Sequence, residues 1–140
     1  MTISRSEPPA IPIATAVIVD DRGRTLRVRK RGTQAHMQPG GKVGSDESSA
    51  EAPARELREE LGCDVRGAPR PLGRFSAPAA NEMGSTVEAE LFAVELLGNI
   101  APAAEIEDAR WHHPDDVPAF VLAPLTRDHV VPLVRQWSRG

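Results

Sequence analysis

The feature that most constrains this chain runs from Gly40 to Cys63, GGKVGSDESSAEAPARELREELGC, where two glycines lead through a polar loop into an acidic run. Apolar residues recur with helical spacing from about Ser48 to Leu61, which predicts a helix, and Gly62 stands where glycine ends helices. With Glu56 placed at zero on a helical wheel, Glu60 falls at about +40° and Glu59 at about −60°. Ala50, Ala54, Leu57 and Leu61 gather at roughly 100° to 160°, a stripe to bury. Three carboxylates therefore share the face beside the core, at a spacing where like charges repel. The face is either plainly solvated, the ordinary fate of glutamates, or it holds a hard divalent cation among converging oxygens.

The residues upstream favour the second reading. Gly40 and Gly41 carry no side chain, so their backbone can approach the helix closely and offer a carbonyl. Glu47 and Arg55 are spaced to pair, and a forked guanidinium holds a carboxylate in fixed orientation. Pro53 lies within the helical pattern and removes one early hydrogen bond. With Ser48 and Glu51 as a capping box the helix starts at Ser48; otherwise it starts nearer Ala52. Both place Glu56 to Glu60 downstream of the disturbance.

Around this segment, 140 residues allow one domain with a single core. Residues 1–9 read as a loose leader and residues 10–140 as the domain. IPIATAVIV (11–19) and TLRVRKR (25–31), separated by the turn DDRGR, are expected to form a hairpin. GAPRPLG reads as a connection, followed by a short strand at 73–77, a strong strand in TVEAELFAVEL, and another strand ending at Trp111. A last helix is expected from about Thr126, with Pro132 starting, kinking or shortening it. Strands mixed with two helices give an α/β domain.

The net charge of −3 argues against DNA or RNA polymers as partners, and no apolar run is long enough to span a bilayer. A single cysteine, Cys63, suits a reducing compartment, so the cytoplasm is the expected location. Four histidines, His36, His112, His113 and His129, lack zinc spacing and read as surface residues.

The stretch Gly41–Cys63 resembles the signature box of the Nudix hydrolase family: glycine, five residues, glutamate, seven residues, then R-E-aliphatic-x-E-E-x-G-aliphatic. Here those positions are Gly41, Glu47, Arg55, Glu56, Leu57, Glu59, Glu60, Gly62 and Cys63. Cys63 replaces a larger aliphatic and reads as a buried small hydrophobe. Gly44 and Asp46 stand where many members carry glutamate and glycine. The resemblance implies an α/β/α sandwich with a mixed sheet between helices. It implies hydrolysis of a nucleoside diphosphate linked to another moiety, with Mg²⁺ or Mn²⁺ as cofactor.

On that resemblance Glu56 and Glu60 would be the principal metal ligands, joined by Glu59 and the Gly41 carbonyl. Glu59 would act as ligand or general base; Glu105, then Glu82, are later candidates for the base. Arg55 and Glu47 complete the catalytic set. Arg27, Arg29 and Arg31 share one strand face, so Arg29 or Arg31 would hold a phosphate if that face looks into the cleft, and would only solubilise if it looks outward. Gln38 is placed to hydrogen-bond a base edge, and Phe75 or Phe92 to line a pocket. The partner expected is a small phosphoanhydride; a homodimer is left open. A catalytically silent ligand-binding or regulatory domain on the same fold is the alternative reading, and so is a prenyl-diphosphate isomerase, which Cys63's packing position disfavours.

Overall fold

In the computed structural model, which describes residues 10–82 and 84–139, the apolar run becomes the centre of the molecule. Strand β1 (Ala10–Val17) is flanked by β4 (Gly40–Lys42), antiparallel, and by β6 (Thr86–Leu97), parallel. Strand β5 (Asp64–Pro78) closes the far edge, giving the mixed order β4-β1-β6-β5. The run is nearly continuous in apolar residues because both its faces are covered. Ala14, Ala16 and Ile18, with Phe92 and Val94 of β6, pack with Leu57 and Leu61 of helix α1 (Ala52–Leu61). On the opposite face Val17, Ala89 and Leu91 pack with Val130 and Val134, the latter on α2 (Val131–Arg139). Two helices thus sandwich a mixed sheet, the α/β/α architecture expected. The leader, residues 1–9, lies outside the described residues.

The expected hairpin forms only at its turn. Leu26 N–H donates to Ile18 O at 3.0 Å, but β2 (Thr25–Lys30) then leaves β1 and pairs antiparallel with β7 (Ile106–His112). Both ladders of β1 are already occupied by β4 and β6, so β2 must find another partner. The expected connection GAPRPLG is instead part of β5, with register shifts between Arg66 and Arg70 and between Pro71 and Gly73. As an edge strand, β5 tolerates prolines that a central strand would not.

Helix α1 begins regularly at Ala52, the later of the two starts considered. Ser48 and Glu51 still exchange bonds: Ser48 N–H donates to Glu51 Oε1 at 2.8 Å and Glu51 N–H to Ser48 Oγ at 3.2 Å. At the other end Gly62 takes φ 67° and donates to Arg58 O, the left-handed glycine ending of a helix, while Cys63 N–H reaches Leu57 O. Pro132 follows a π-helical turn, Thr126–Val130, which accommodates the break before α2. Two short strands, β3 (Ala35–His36) and β8 (Val121–Leu122), pair in parallel and bring the start of the final helical segment next to Gln38. Among the described residues no helix is long and apolar enough to cross a membrane.

Candidate active site

Helix α1 and strand β4 meet where the sequence places the glycines and glutamates. A Cβ on Gly41 would stand 2.5 Å from Glu56 Oε2, so only glycine lets this carboxylate lie against the strand. Glu60, one turn on, is 6% exposed and accepts from Gly40 N–H at 3.3 Å. Burial, then the neighbouring Glu56, pushes the Glu60 carboxyl up to about 8; burial also raises Glu56. Among the described residues no cation stands within ion-pair distance of Glu60.

Arg55 organises the outer side. Its Nε and Nη2 bind Glu47, its Nη2 reaches Lys42 O at 3.2 Å, and its Nη1 lies 3.2 Å from Glu59 Oε1 and 3.4 Å from Glu56 Oε2. The Arg55 hydrogen bonds, seconded by Gly44 N–H, lower the Glu47 carboxyl to about 2. Gly44 donates to Glu47 Oε1 at 2.8 Å, which is what this chain's altered loop achieves with glycine there.

The three glutamates do not all converge. Glu59 has 57% of its side chain exposed and turns toward Arg55. Among the described residues no three acidic, histidine or cysteine side chains form a ready-made metal cage. The donor set nevertheless suits a hard divalent cation: two adjacent carboxylates, one buried without a cationic partner among the described residues, lie against glycine backbone. Residues Glu56 and Glu60 fit such an ion; Glu59, on the same helix, is bonded to Arg55 instead.

A cleft opens beside this cluster, lined by β1, β4, the loop 79–82 and the start of the final helical segment. Of the residues expected to touch substrate, Gln38 lines it and is 2% exposed. Arg29 does not; its Nη1 binds Thr33 O at 3.0 Å and Glu107 Oε1 at 3.3 Å. Arg31 is exposed in the turn after β2, its N–H on Glu105 O at 2.7 Å. Glu105 itself is exposed, and its charge is felt at Glu60. Phe75 packs among the residues under α2, its ring 5.2 Å from that of His129, and Phe92 lies in the core.

Sequence reasoning missed Lys30 and Lys42, the cations that line the cleft. Lys30 lies on the face of β2 opposite Arg27 and Arg29, and its charge lowers the carboxyls of both Glu56 and Glu60, against the larger effect of burial. Alternation announced two faces of that strand without saying which one looks inward. Lys42 is 3.8 Å from Glu82 across the cleft mouth.

Two histidines correct the surface reading. His36 and His112 are 4% and 6% exposed, and both rings contact Phe120. His36 Nε2 is paired with Asp108 Oδ2 at 2.8 Å. Phe120 lies against both rings and Asp116 O is 2.9 Å from His112 Nε2, so residues following β7 cover side chains that strand alternation alone would leave in water.

With this geometry in hand, the family model of the NUDIX domain matches residues 10–134. The chain belongs to the Nudix family. An uncharacterized Nudix hydrolase of Streptomyces coelicolor is 32% identical over 99 residues, 66% of this chain and 52% of the relative. The NAD-capped RNA hydrolase NudC of Stutzerimonas stutzeri is 35% identical over 80 residues, 57% of this chain and 28% of the relative. The chain thus spans about half the length of the first and about a quarter of the second. The crystal structure of a MutT protein from Methanosarcina mazei Go1 superposes with a TM-score of 0.75 at 22% identity, covering 96% of this chain and 99% of that one.

Proposed function

We propose that this chain is a divalent-metal-dependent pyrophosphohydrolase that cleaves a nucleoside diphosphate linked to another moiety. The observation that carries the reading is the Glu56–Glu60 pair against Gly41: two carboxylates, one of them buried, held together with no cation among the described residues close enough to pair with Glu60. Burying such a pair is expensive unless positive charge is supplied. Membership of the Nudix family and similarity to an NAD-capped RNA hydrolase support the same reading.

Glu56 and Glu60 would hold Mg²⁺ or Mn²⁺, with Glu59 and the Gly41 carbonyl as further oxygen donors. A bound divalent ion would supply charge neutralisation on the anhydride and activation of water. Arg55 fixes Glu47 and keeps the helix face in register with β4. Lys30 and Lys42 line the path of the phosphates, taking the place anticipated for Arg29 and Arg31. Glu59, exposed and paired with Arg55, would take a proton from water; Glu105, also exposed, is the second candidate for that role. The cleft receives the rest of the substrate.

The test is a panel of phosphoanhydrides with Mg²⁺ or Mn²⁺, scored by phosphate or nucleotide release. Glu56→Gln and Glu60→Gln should remove turnover while the fold survives. Undiminished activity in both variants would show that the reaction uses another surface. Binding of the same compounds without release in the parent protein would support the catalytically silent alternative.

A further inference from the structure

The side chains an entering group can reach in the cleft are not its polar ones. Gln38, Thr15 and Thr126 line it, yet they are 2%, 4% and 0% exposed. The Thr126 hydroxyl donates to Gln38 Oε1, and Gln38 Nε2 and Thr15 Oγ1 are themselves buried. The accessible lining is aliphatic: Ile11, Ile13, Met37 and Val87 are each half-buried and border the opening. None of the described residues lining the cleft is aromatic, so stacking on a ring cannot carry recognition there.

The strand register joins this aliphatic floor to the carboxylates. Alternation puts Ile11 and Ile13 on one face of β1, with Ile11 beside Val87 on β6 and Ile13 beside Lys42 on β4. Gly41, the next residue of β4, faces Glu56 on the helix side. A group attached to an anhydride at Glu56 and Lys42 therefore continues over Ile13 and then over Ile11 and Val87.

The volume of this cavity is about 150 Å³. An aliphatic cavity of about that size holds one benzene-sized ring. Resting on the hydrolase reading for where the phosphates lie, we propose that the cleft selects a single-ring base, a pyrimidine, over a purine, with Ile11, Ile13 and Val87 as the specificity-determining residues. Selection is by size and apolar contact. The second ring of a purine displaces these walls or stays outside them, and overfilling an apolar site typically costs roughly 10- to 100-fold in affinity. The polar edge of a pyrimidine faces the mouth, where water satisfies it.

The test compares UTP and CTP with ATP and GTP, so that ring count is separated from the pattern of oxo and amino groups. Binding by calorimetry and kcat/KM with Mg²⁺ are both read. In the parent protein both pyrimidine nucleotides should exceed both purine nucleotides by about tenfold or more. Val87→Ala and Ile11→Ala each enlarge the cavity from one wall and should shrink that ratio by admitting purines. A merely structural role for these side chains would lower all four nucleotides equally. Thermal melts check that each variant folds.

A pyrimidine preference in binding without turnover leaves this inference standing and overturns the hydrolase reading. Turnover with a smaller ratio, with a purine preference, or with an order that follows oxo and amino groups instead of ring count overturns the inference and leaves the hydrolase reading intact. A ratio unchanged in both variants overturns it too, since the preference then arises outside this cleft. Failure of the parent protein to bind any of the four nucleotides overturns it as well.

Discussion

Arg55 grips Glu47 with two arms of its guanidinium, Nη2 at 2.6 Å from Oε1 and Nε at 2.9 Å from Oε2. The pair ties helix α1 to the loop before it, and Nη2 also reaches Lys42 O on β4. Lysine cannot reproduce the fork. Arg55→Lys should therefore lower kcat by roughly 10- to 100-fold, the usual range for losing a group that orients ligands. Far-ultraviolet circular dichroism should stay unchanged. Because Arg55 holds the Glu47 carboxyl near 2, below its ordinary 4.5, the pair stabilises the fold above pH 4.5 and the benefit is lost as pH falls from 4.5 toward 2. Acid melts of the parent protein should slope in that window, and those of Arg55→Lys less so.

Gly41→Ala tests the closeness of strand and helix. The new methyl would stand 2.5 Å from Glu56 Oε2, so the carboxylate must move. Mn²⁺ affinity, measured by calorimetry, should weaken by roughly 10- to 100-fold. Affinity equal to the parent's would show that Glu56 does not bind the ion from this position.

The parts of this architecture that sequence made legible are those with a strong period. Leu57, Leu61 and the three glutamates sort themselves by the helical repeat, and Gly62 announces the stop with the left-handed φ that glycine tolerates. β1 and β6 are readable as long β-rich apolar runs. What stayed hidden depends on partners far along the chain. Nothing in TLRVRKR says that β7 is its neighbour, or that Lys30 and not Arg29 looks toward Glu56. The edge position of β5, which excuses Pro69 and Pro71, is a property of the whole sheet. The burial of His36 and His112 depends on Phe120, some eighty residues from the first of them. Gln38 was legible as a candidate; its burial against Thr126 was not, since the two meet only in the fold.

Metal-free protein should show an unusual pH dependence. The Glu60 carboxyl is pushed up to about 8, chiefly by burial, so the folded chain keeps a proton that the unfolded chain releases near 4.5. The native state then binds more protons between those values, and stability falls as pH rises from 4.5 to 8. Melts in EDTA should show this fall, and saturating Mg²⁺ or Mn²⁺ should reverse it by binding the folded state. Glu60→Gln, which mimics the protonated acid, should be more stable than the metal-free parent at pH 8 by about 2 kcal/mol. A flat profile in EDTA would mean that Glu60 is solvated and unfit for the role assigned to it.

Arg27 presents the opposite sign from the same cause. It is 0% exposed on the outer face of β2, and its Nε, Nη1 and Nη2 have no hydrogen-bond partner among the described residues. Burial pushes its guanidinium down from its ordinary value to about 10. The folded state therefore gives up this proton more readily than the unfolded chain, and the unpaired charge destabilises the fold at every pH below about 10. Methionine fills a similar elongated space without the charge. Arg27→Met should raise stability at pH 7 by about 1–3 kcal/mol, a gain of several degrees in Tm, and leave kcat unchanged, because Arg27 faces His112 and not the cleft. A lower Tm in the variant would require the guanidinium to be hydrogen-bonded in solution. The balance between lost charge and lost packing is then decided by one melting curve.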